Sequence, residues 1–586
     1  MFHKTIRGRV WPMAAALSLL LGGVLCAAGP AAAAGRAASS GAALSSTSSS
    51  GAASSGAASS RVPSSRDCDA ATTLGRVQGL AHSATCAYLG VPYAAPPTGA
   101  RRFLPPAPSA RWRGTLQATA AKPGCPQDLS GPGGGSEDCL YTQIWQPRSG
   151  GADKPVLVFL HGGADEFGAA NEAVFDGSAL AARGDAVVVS VDYRLGMLGW
   201  TELGGLDRRY AGSGDNGLRD EIAALTFVQR QIRAFGGDPR DVTVFGQSAG
   251  AISISALLAG DHPERLFRRA IVESGPGYLV HTQQYARDAA AHLLSTGGIT
   301  SVAQLDAMST QQLMELQNKA QQGVSGLADA LFFGPSIDGT LIPGPVDDRI
   351  AAGSARHVDL MVGTTENETD YWALFAPQVL DLPLSAYRSF PTVLAPQKQA
   401  MFDRYAADRP GLPPGRVVNA MLTDQMFRVP TLRMAQAQYR WRPTYVYQFD
   451  WHVPYVSGLP EAQNLGAMHT EEVPFVLGNL DIADYPRGAA TLAAGRPQLT
   501  TLSRDMMDAW SGFARDGRPG WPSYTPATRA TKIWDVPERV QDGPQEAERA
   551  MWDAFSFPAW DLEPWVPAPA AASAPASASA SASAKS

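Results

Sequence analysis

The stretch that decides the fold is Val242-Thr243-Val244-Phe245-Gly246-Gln247-Ser248-Ala249-Gly250, near the middle of the chain. Its first four residues are β-branched or aromatic and predict a short strand. Residues 251–258 are mostly apolar and predict a helix. A Gly-x-Ser-x-Gly pentapeptide between a strand and a helix is typical of a sharp turn that exposes a nucleophilic serine. An ordinary turn is the alternative, because Gly and Ser are abundant, but the flanking elements favour the nucleophile.

The chemistry of such a turn makes further demands on the chain. A serine alcohol is a weak nucleophile, so Ser248 needs a histidine within reach and N–H donors for the oxyanion that develops. The amide of Ala249, at the N-terminus of the following helix, is one expected donor. A second should come from a glycine-rich turn after an early strand. His161-Gly162-Gly163-Ala164 follows an apolar segment and fits this role, with a plain turn as the alternative.

The segments around the pentapeptide indicate the fold class. Residues 156–160 and 186–191 are continuous apolar runs, as expected of parallel strands buried on both faces. Residues 218–235 carry apolar side chains at three- and four-residue spacing and predict a helix, which ends at a turn beginning with Gly236-Gly237-Asp238-Pro239. Strands that alternate with helices predict an α/β fold, with a mostly parallel central sheet and helices on both faces.

The histidine partner can be narrowed by order along the chain. With a serine on this kind of turn, the acid and then the histidine follow it in sequence. His452 and His469 are the histidines that lie beyond the acid candidate named below. His452 ends a strand-like segment, where structural histidines are common. His469 lies in a loop, Gly466-Ala467-Met468-His469-Thr470, and is favoured because loops at strand ends carry catalytic groups.

The N-terminus has the pattern of an export signal. Basic residues precede an apolar run from 13 to 26, and small residues at 31–34 predict cleavage after Ala34. A membrane anchor is disfavoured, because this run is shorter than the roughly 20 residues that cross a bilayer. Lipidation at Cys26 is disfavoured as well, because Val24-Leu25 before it lacks a small residue.

Composition divides the rest of the chain and excludes some partners. Residues 35–66 are rich in Gly, Ala and Ser and residues 566–586 in Pro, Ala and Ser, so both are expected to be flexible. One folded domain is expected over residues 67–565, because its catalytic candidates must meet. The 48 basic and 54 acidic residues give a net charge of −6, which disfavours binding to nucleic acid or to an anionic membrane. No stable membrane anchor is expected, and the oligomeric state is open.

The cysteines indicate an oxidising compartment. Beyond the leader, the chain has Cys68, Cys86, Cys125 and Cys139. An even number in an exported chain predicts two disulfides, although four cysteines allow three pairings, and buried thiols are the alternative. Local pairing, Cys68 with Cys86 and Cys125 with Cys139, would close two short loops. No Cys-x-x-Cys or His-x-x-x-His spacing is present, so neither a metal nor another cofactor is expected.

Five further motifs occur in a consistent order between about residues 75 and 525. They are Leu89-Gly90-Val91-Pro92-Tyr93-Ala94-Ala95-Pro96-Pro97, Ser136-Glu137-Asp138-Cys139-Leu140, Asp192-Tyr193-Arg194-Leu195-Gly196, Phe235-Gly236-Gly237-Asp238-Pro239 and Trp510-Ser511-Gly512-Phe513-Ala514. With the serine pentapeptide, they make the chain resemble the type-B carboxylesterase family of α/β-hydrolases, which includes acetylcholinesterase and bacterial p-nitrobenzyl esterase. The resemblance implies an α/β-hydrolase fold with long loop and helical insertions.

The resemblance also implies roles for particular residues. It implies Ser248 as nucleophile, His469 as base and Glu368, five residues after Gly363, as the acid, with Glu366 as a rival. It implies the amides of Gly163, Ala164 and Ala249 as oxyanion donors, and it implies the Cys125–Cys139 disulfide. The expected activity is hydrolysis of small-molecule carboxylic esters. The alternatives are an interfacial lipase or polyester hydrolase, and a non-catalytic adhesion protein of the neuroligin kind.

Four departures from the family pattern bear on substrate choice. Thr369 follows the acid where glycine is usual, and Gln247 precedes the serine where glutamate is frequent. The loop between Cys125 and Cys139 lacks the tryptophan that stacks on choline, so choline esters are disfavoured. Asp165-Glu166 replaces an aromatic residue after the oxyanion turn. We hypothesise that these carboxylates disfavour anionic acyl groups, unless both point to solvent.

Overall fold

The computed structural model describes residues 68–127, 134–322, 324, 331–373, 398–452, 465–480, 497–555 and 557. The segments predicted as signal peptide (1–34), as Gly/Ala/Ser-rich segment (35–66) and as tail (566–586) lie outside the described residues. Within those residues, no helix has the length and apolar character needed to cross a bilayer.

Strands alternate with helices between residues 154 and 534, as the apolar pattern predicts, and seven strands precede the first described α-helix. The strands are β1 (Asp69–Ala71), β2 (Arg76–Gln78), β3 (Leu80–Ala81), β4 (Thr85–Pro92), β5 (Thr115–Gln117), β6 (Tyr141–Pro147), β7 (Lys154–Leu160), β8 (Val187–Val191), β9 (Gly237–Gln247), β10 (Arg269–Glu273), β11 (Asp359–Thr365), β12 (Thr444–Phe449), β13 (Ala530–Trp534) and β14 (Arg539–Asp542).

The helices include short connectors and longer packing helices. They are α1 (Ser178–Gly184), α2 (Gly196–Trp200), α3 (Asn216–Gln231), α4 (Ala249–Ala259), α5 (Gln283–Gly297), α6 (Val302–Asp306), α7 (Thr310–Gln321), α8 (Val346–Ala351), α9 (Asp370–Ala373), α10 (Lys398–Asp408), α11 (Pro414–Thr423), α12 (Val429–Gln438), α13 (Val473–Leu477), α14 (Pro497–Asp516) and α15 (Glu546–Met551).

Among the described strands, eleven form one sheet in the order β14-β13-β12-β11-β10-β9-β7-β8-β6-β4-β3, and β1, β2 and β5 form a small second sheet. The strands from β8 through β7, β9, β10, β11 and β12 to β13 are all parallel. The carboxyl ends of parallel strands meet at one edge, so the loops after β7, β9, β11 and β12 lie together there.

The sheet is buried on both faces, which explains the continuous apolar runs. On β7, Val156, Val158 and Leu160 join one hydrophobic cluster, and Leu157 and Phe159 join the other. Helices α3, α4 and α12 supply side chains to the first cluster, and α1 and α14 to the second. The predicted α/β class, with helices on both faces of a mostly parallel sheet, is therefore confirmed.

The strand that leads to the serine is longer than the sequence predicts. We predict residues 242–245, whereas β9 runs from Gly237 to Gln247. A 3-10 turn, Ile232–Phe235, follows α3, and it ends at Gly236, which has a left-handed backbone with φ of 84°. The predicted turn at residues 236–239 is thus reduced to this one glycine. Pro239 then lies where the register of β9 with β7 shifts, and it is tolerated there because proline interrupts the ladder only locally.

Both disulfides of the local pairing are present. Cys68 is bonded to Cys86 across 18 residues and Cys125 to Cys139 across 14 residues. All four cysteines are buried, at 5% exposure or less. The pairing implied by the family resemblance is therefore found in the fold, and the alternative of buried free thiols is wrong.

Reduction of these bonds is expected to lower the free energy of unfolding by about 3 kcal/mol for each bond, because each one restricts the unfolded chain. Urea unfolding of the protein with and without a phosphine reductant measures the total. The double variant Cys125→Ala/Cys139→Ala should show about half of that total decrease in the free energy of unfolding. Equal midpoints with and without reductant would contradict this expectation.

Candidate active site

Ser248 lies in the sharp turn between β9, which ends at Gln247, and α4, which begins at Ala249. Its backbone has φ of 55° and ψ of −124°, a conformation that L-residues rarely adopt. Two hydrogen bonds hold it: the Ser248 amide donates to the carbonyl of Glu273 at 2.9 Å, and the Ile252 amide donates to the carbonyl of Ser248 at 2.8 Å. The strain is thus maintained by the sheet and the helix, and it directs the hydroxyl away from both.

Close backbone packing around the turn requires glycine at two positions. A Cβ atom on Gly250 would lie 2.2 Å from the carbonyl oxygen of Leu160, where β7 passes beneath α4. A Cβ atom on Gly162 would lie 2.9 Å from the Cβ of Ser248. The glycine-rich turn after β7 therefore reaches the serine only because side chains are absent at both places.

His469 joins the serine to a buried carboxylate. The Ser248 hydroxyl donates to Nε2 of His469 at 2.8 Å, and Nδ1 of His469 donates to Oε2 of Glu368 at 2.6 Å. Glu368 is fully buried, and its other oxygen accepts from the Thr365 amide at 2.9 Å and from the Ser274 hydroxyl at 2.6 Å. Three donors therefore hold this carboxylate and, through it, the imidazole.

The loops that carry the acid and the histidine are tied together by their backbones. The His469 amide donates to the carbonyl of Glu368 at 3.2 Å, and the Asn367 amide donates to the carbonyl of Ala467 at 2.8 Å. These bonds join the end of β11 to a loop one hundred residues further along the chain. The imidazole and the carboxylate are consequently aligned by main-chain geometry as well as by their own hydrogen bond.

The two residues that rival this assignment pair with each other. Nε2 of His452 lies 2.9 Å from Oε2 of Glu366, and the His452 side chain is 54% exposed. The hydrogen bond to Glu366 raises the pKa of His452. Glu368 and His469 thus form the buried pair that contacts Ser248, and Glu366 and His452 form a separate pair near the surface.

The turn after β7 carries the other expected donors. Gly163 has φ of 114°, and Ala164 and Asp165 follow with φ of 54° and 59°. The Glu166 and Phe167 amides both donate to the carbonyl of Gly163 at 3.0 Å, which closes the turn. This turn carries the chain past Ser248. It lies beside the N-terminus of α4, which begins at Ala249.

Three aromatic side chains pack around His469, and none of these contacts is predicted from the sequence. The Trp372 ring stacks on the imidazole with centroids 5.5 Å apart, Phe427 lies at 5.1 Å, and Tyr371 presents an edge at 5.9 Å. The only local signal is that Tyr371 and Trp372 closely follow Glu368. Phe427 comes from a π-helical turn between α11 and α12, and nothing in its neighbourhood indicates this contact.

Two departures from the family pattern also have defined surroundings. Gln247 is buried, and its amide nitrogen lies 3.2 Å from Nε2 of His469, so this neutral side chain lies directly beside the base. Asp165 is 2% exposed, whereas Glu166 is partly exposed and accepts a hydrogen bond from Gln321 at 2.5 Å. The hypothesis from the sequence is that both carboxylates disfavour anionic acyl groups. Because Asp165 is buried, only Glu166 is accessible enough for that role.

Three buried acids, Glu273, Asp192 and Asp215, form no ion pair among the described residues. Burial raises the pKa of Glu273 and of Asp192 to about 8, and the pKa of Asp215 to about 7. At these three groups the folded protein binds more protons than the unfolded chain between about pH 4 and pH 8. Their contribution to stability is fully present below the ordinary carboxyl pKa and is lost as the pH rises through that window.

We expect the melting temperature to fall by roughly 5 °C between pH 5 and pH 8. Differential scanning calorimetry at constant ionic strength measures it. Glu273→Gln should flatten part of the decline, because an amide oxygen can still accept the 2.7 Å hydrogen bond from Trp510. A melting temperature that rises across this range would show that these groups are not the dominant titrating acids.

The described residues contain no group of three or more His, Cys, Asp or Glu side chains suited to hold a metal ion. A serine, an imidazole and a carboxylate in one hydrogen-bonded chain suit acyl transfer through the serine oxygen.

The parallel sheet, the strained serine turn and the buried histidine–carboxylate pair define an α/β-hydrolase. The chain belongs to the carboxylesterase family, whose model matches residues 67–552, and it is a carboxylic ester hydrolase. It is 36% identical over 503 residues to para-nitrobenzyl esterase of Bacillus subtilis, covering 82% of this chain and 97% of that protein.

A solved structure and a more distant relative complete the comparison. The carboxylesterase EST55 of Geobacillus stearothermophilus is similar with a TM-score of 0.74 and 32% identity, covering 83% of this chain and all of that one. Human neuroligin-2 is 28% identical over 552 residues, covering 83% of this chain and 63% of its own length. The similarity to esterases thus extends over nearly their whole length.

Proposed function

We propose that the protein is an exported serine carboxylesterase that cleaves esters through an acyl-enzyme formed on Ser248. The observation that carries the proposal is the hydrogen-bonded chain from the Ser248 hydroxyl through His469 to Glu368, with distances of 2.8 Å and 2.6 Å. In the first step, Nε2 of His469 takes the hydroxyl proton while the serine oxygen bonds to the ester carbonyl carbon. Glu368 holds the ring by its Nδ1–H and stabilises the imidazolium.

Collapse of the tetrahedral intermediate completes the first half of the reaction. The oxyanion accepts hydrogen bonds from the amides of Gly163, Ala164 and Ala249, which we propose as the oxyanion hole. His469 then gives its proton to the departing alcohol, and the acyl group stays on the serine. Water attacks the acyl-enzyme by the same route, with His469 as base, and releases the acid.

Export and domain organisation form part of the same proposal. The basic, apolar and small-residue segments of residues 1–34 support a signal peptide, and the disulfides Cys68–Cys86 and Cys125–Cys139 support an extracellular or periplasmic location. We propose residues 67–565 as one catalytic domain. The separation of Ser248 and His469 by 221 residues, with Glu368 between them, supports this, because no segment shorter than residues 248–469 contains all three.

Active-site labelling tests the proposal directly. Incubating the secreted protein with an aryl phosphonate should abolish turnover of p-nitrophenyl butyrate at one equivalent, and peptide mass spectrometry should locate the adduct on Ser248. A series of p-nitrophenyl esters of increasing acyl length then measures the acyl preference. Labelling elsewhere would refute the serine assignment, and a rate that rises sharply above the solubility limit of a triglyceride would favour an interfacial lipase.

A further inference from the structure

The proposed oxyanion turn is held from behind at two points by the segment after β8. The Tyr193 hydroxyl donates to the carbonyl of His161 at 2.7 Å, and the Gly196 amide donates to the carbonyl of Asp165 at 2.6 Å. Both Ala164 and Asp165 keep the left-handed backbone, a conformation that L-residues rarely adopt. The direction of the Ala164 amide therefore depends on how Asp165, its neighbour, is fixed.

The side chain of Asp165 is enclosed rather than directed to solvent. It is 2% exposed, and its Oδ1 has no hydrogen-bond partner among the described residues. A Cβ atom added to Gly334 would lie 3.4 Å from Oδ2 of Asp165 and 3.2 Å from Cε1 of His281, so both side chains face this glycine. The backbone at Gly334 thus packs closely against the carboxyl group, and a side chain at this position would be a tight fit.

The surroundings of Asp165 contain no free positive charge among the described residues. The titratable side chains that the structure places near Asp165 are those of Tyr193, Glu221 and His281. Arg194 is occupied by two bonds of 2.7 Å to Asp220. Burial lowers the pKa of His281 to about 3, so this ring is neutral, and Glu221 is a second buried acid.

Resting on the proposed function, we propose that Asp165 stays neutral within the oxyanion turn at neutral pH, and that its ionisation in alkali lowers the esterase activity. Desolvation raises the pKa of Asp165 well above its ordinary value, which agrees with a neutral side chain at pH 7. The carboxylate that forms in alkali lies one residue from the Ala164 amide. It repels the oxyanion and disturbs a strained turn that has no cation to compensate.

The expected size of the effect follows from Coulomb's law. A buried charge several ångströms from the developing oxyanion should lower kcat/KM on the order of 10- to 100-fold. The remaining members of the site are unaffected, because Asp165 makes no described hydrogen bond to Ser248, His469 or Glu368.

The test is the pH profile of kcat/KM for p-nitrophenyl butyrate between pH 5 and pH 10, corrected for spontaneous hydrolysis. The wild-type protein should lose activity on the alkaline side, whereas Asp165→Asn should keep its neutral-pH activity into alkali. Asp165→Ala, which also has no charge and has a smaller side chain, gives the same answer if the amide variant fails to fold. The matched control Glu166→Gln, in the partly exposed neighbour, should retain the wild-type decline.

Infrared spectroscopy provides a readout that does not depend on turnover. The wild-type minus Asp165→Asn difference spectrum at pH 7 should contain the C=O stretch of a protonated carboxyl group, and the band should disappear over the pH range in which activity falls. An alkaline decline that persists in both Asp165 variants, or that disappears in Glu166→Gln, overturns the inference. If the wild-type protein hydrolyses no ester and Ser248 takes no phosphonate, the proposed function fails instead.

Discussion

Replacing Ser248 with alanine is expected to lower kcat by about 10⁴- to 10⁶-fold, because the substitution removes the oxygen atom that we propose bonds to the acyl carbon. Binding of substrate should change little, so KM should stay near its wild-type value. The strained backbone at this position, with φ of 55°, is equally available to alanine and serine, so the fold should be kept. Steady-state hydrolysis of p-nitrophenyl butyrate by the purified variant measures the decrease in kcat.

Ser253 offers a matched control for this experiment. It is a fully buried serine on the same helix, α4, and it takes no part in the hydrogen bonds that join Ser248, His469 and Glu368. Ser253→Ala should keep kcat within about threefold of the wild-type value. Phosphonate labelling should persist in that variant and be absent from Ser248→Ala. Retention of most esterase activity by Ser248→Ala would refute the acyl-enzyme proposal.

Replacing Glu368 with glutamine is expected to lower kcat on the order of 10³- to 10⁴-fold. Glu368 accepts from His469, from Ser274 and from the Thr365 amide, and it is fully buried. An amide has only one acceptor oxygen, so at least one of these three donors would face an N–H group. The imidazole would then lose the acceptor that fixes its tautomer and stabilises its cation.

Glu366 supplies the control, because it is the same residue type two positions earlier in the same loop. It pairs with His452 near the surface at 2.9 Å. Glu366→Gln should leave kcat within about twofold, as expected for an exposed ion pair. If kcat fell by a similar factor in both variants, the activity would depend on the loop as a whole and not on the Glu368 carboxylate. Circular dichroism of both variants separates loss of fold from loss of chemistry.

Local sequence patterns predicted much of the fold because their causes are local. A strand buried on both faces must be apolar throughout, as residues 156–160 are, and a sharp strand-to-helix turn needs glycines, as at Gly246 and Gly250. The α/β class was predicted in this way, whereas the α/β-hydrolase fold, the family and the Cys125–Cys139 disulfide were implied by the family resemblance; all of these are confirmed. The cysteine count predicted two disulfides and left their pairing open, and the structure contains the local pairing. The assignment of the site residues stays a proposal, supported by the distances among their side chains.

Other features depend on contacts between distant parts of the chain and have no local pattern. The stacking of Trp372 and Phe427 on His469 joins segments from three separate loops and helices. The extent of β9 is set by its pairing with β7, which continues past Pro239. Neither could be obtained from composition or periodicity, because the partner of each residue is chosen only when the sheet and the loops pack.

The sequence by itself determined which residues could do chemistry, because nucleophile, base, acid and oxyanion donors require particular side chains and glycines at particular places. Tertiary structure alone decided the environment of each one. It paired Glu366 with His452 near the surface and left Glu368 and His469 to contact Ser248 in the interior. It also buried Asp165, with no free cation beside it among the described residues, since packing, and not the identity of a residue, sets whether a carboxyl group is solvated.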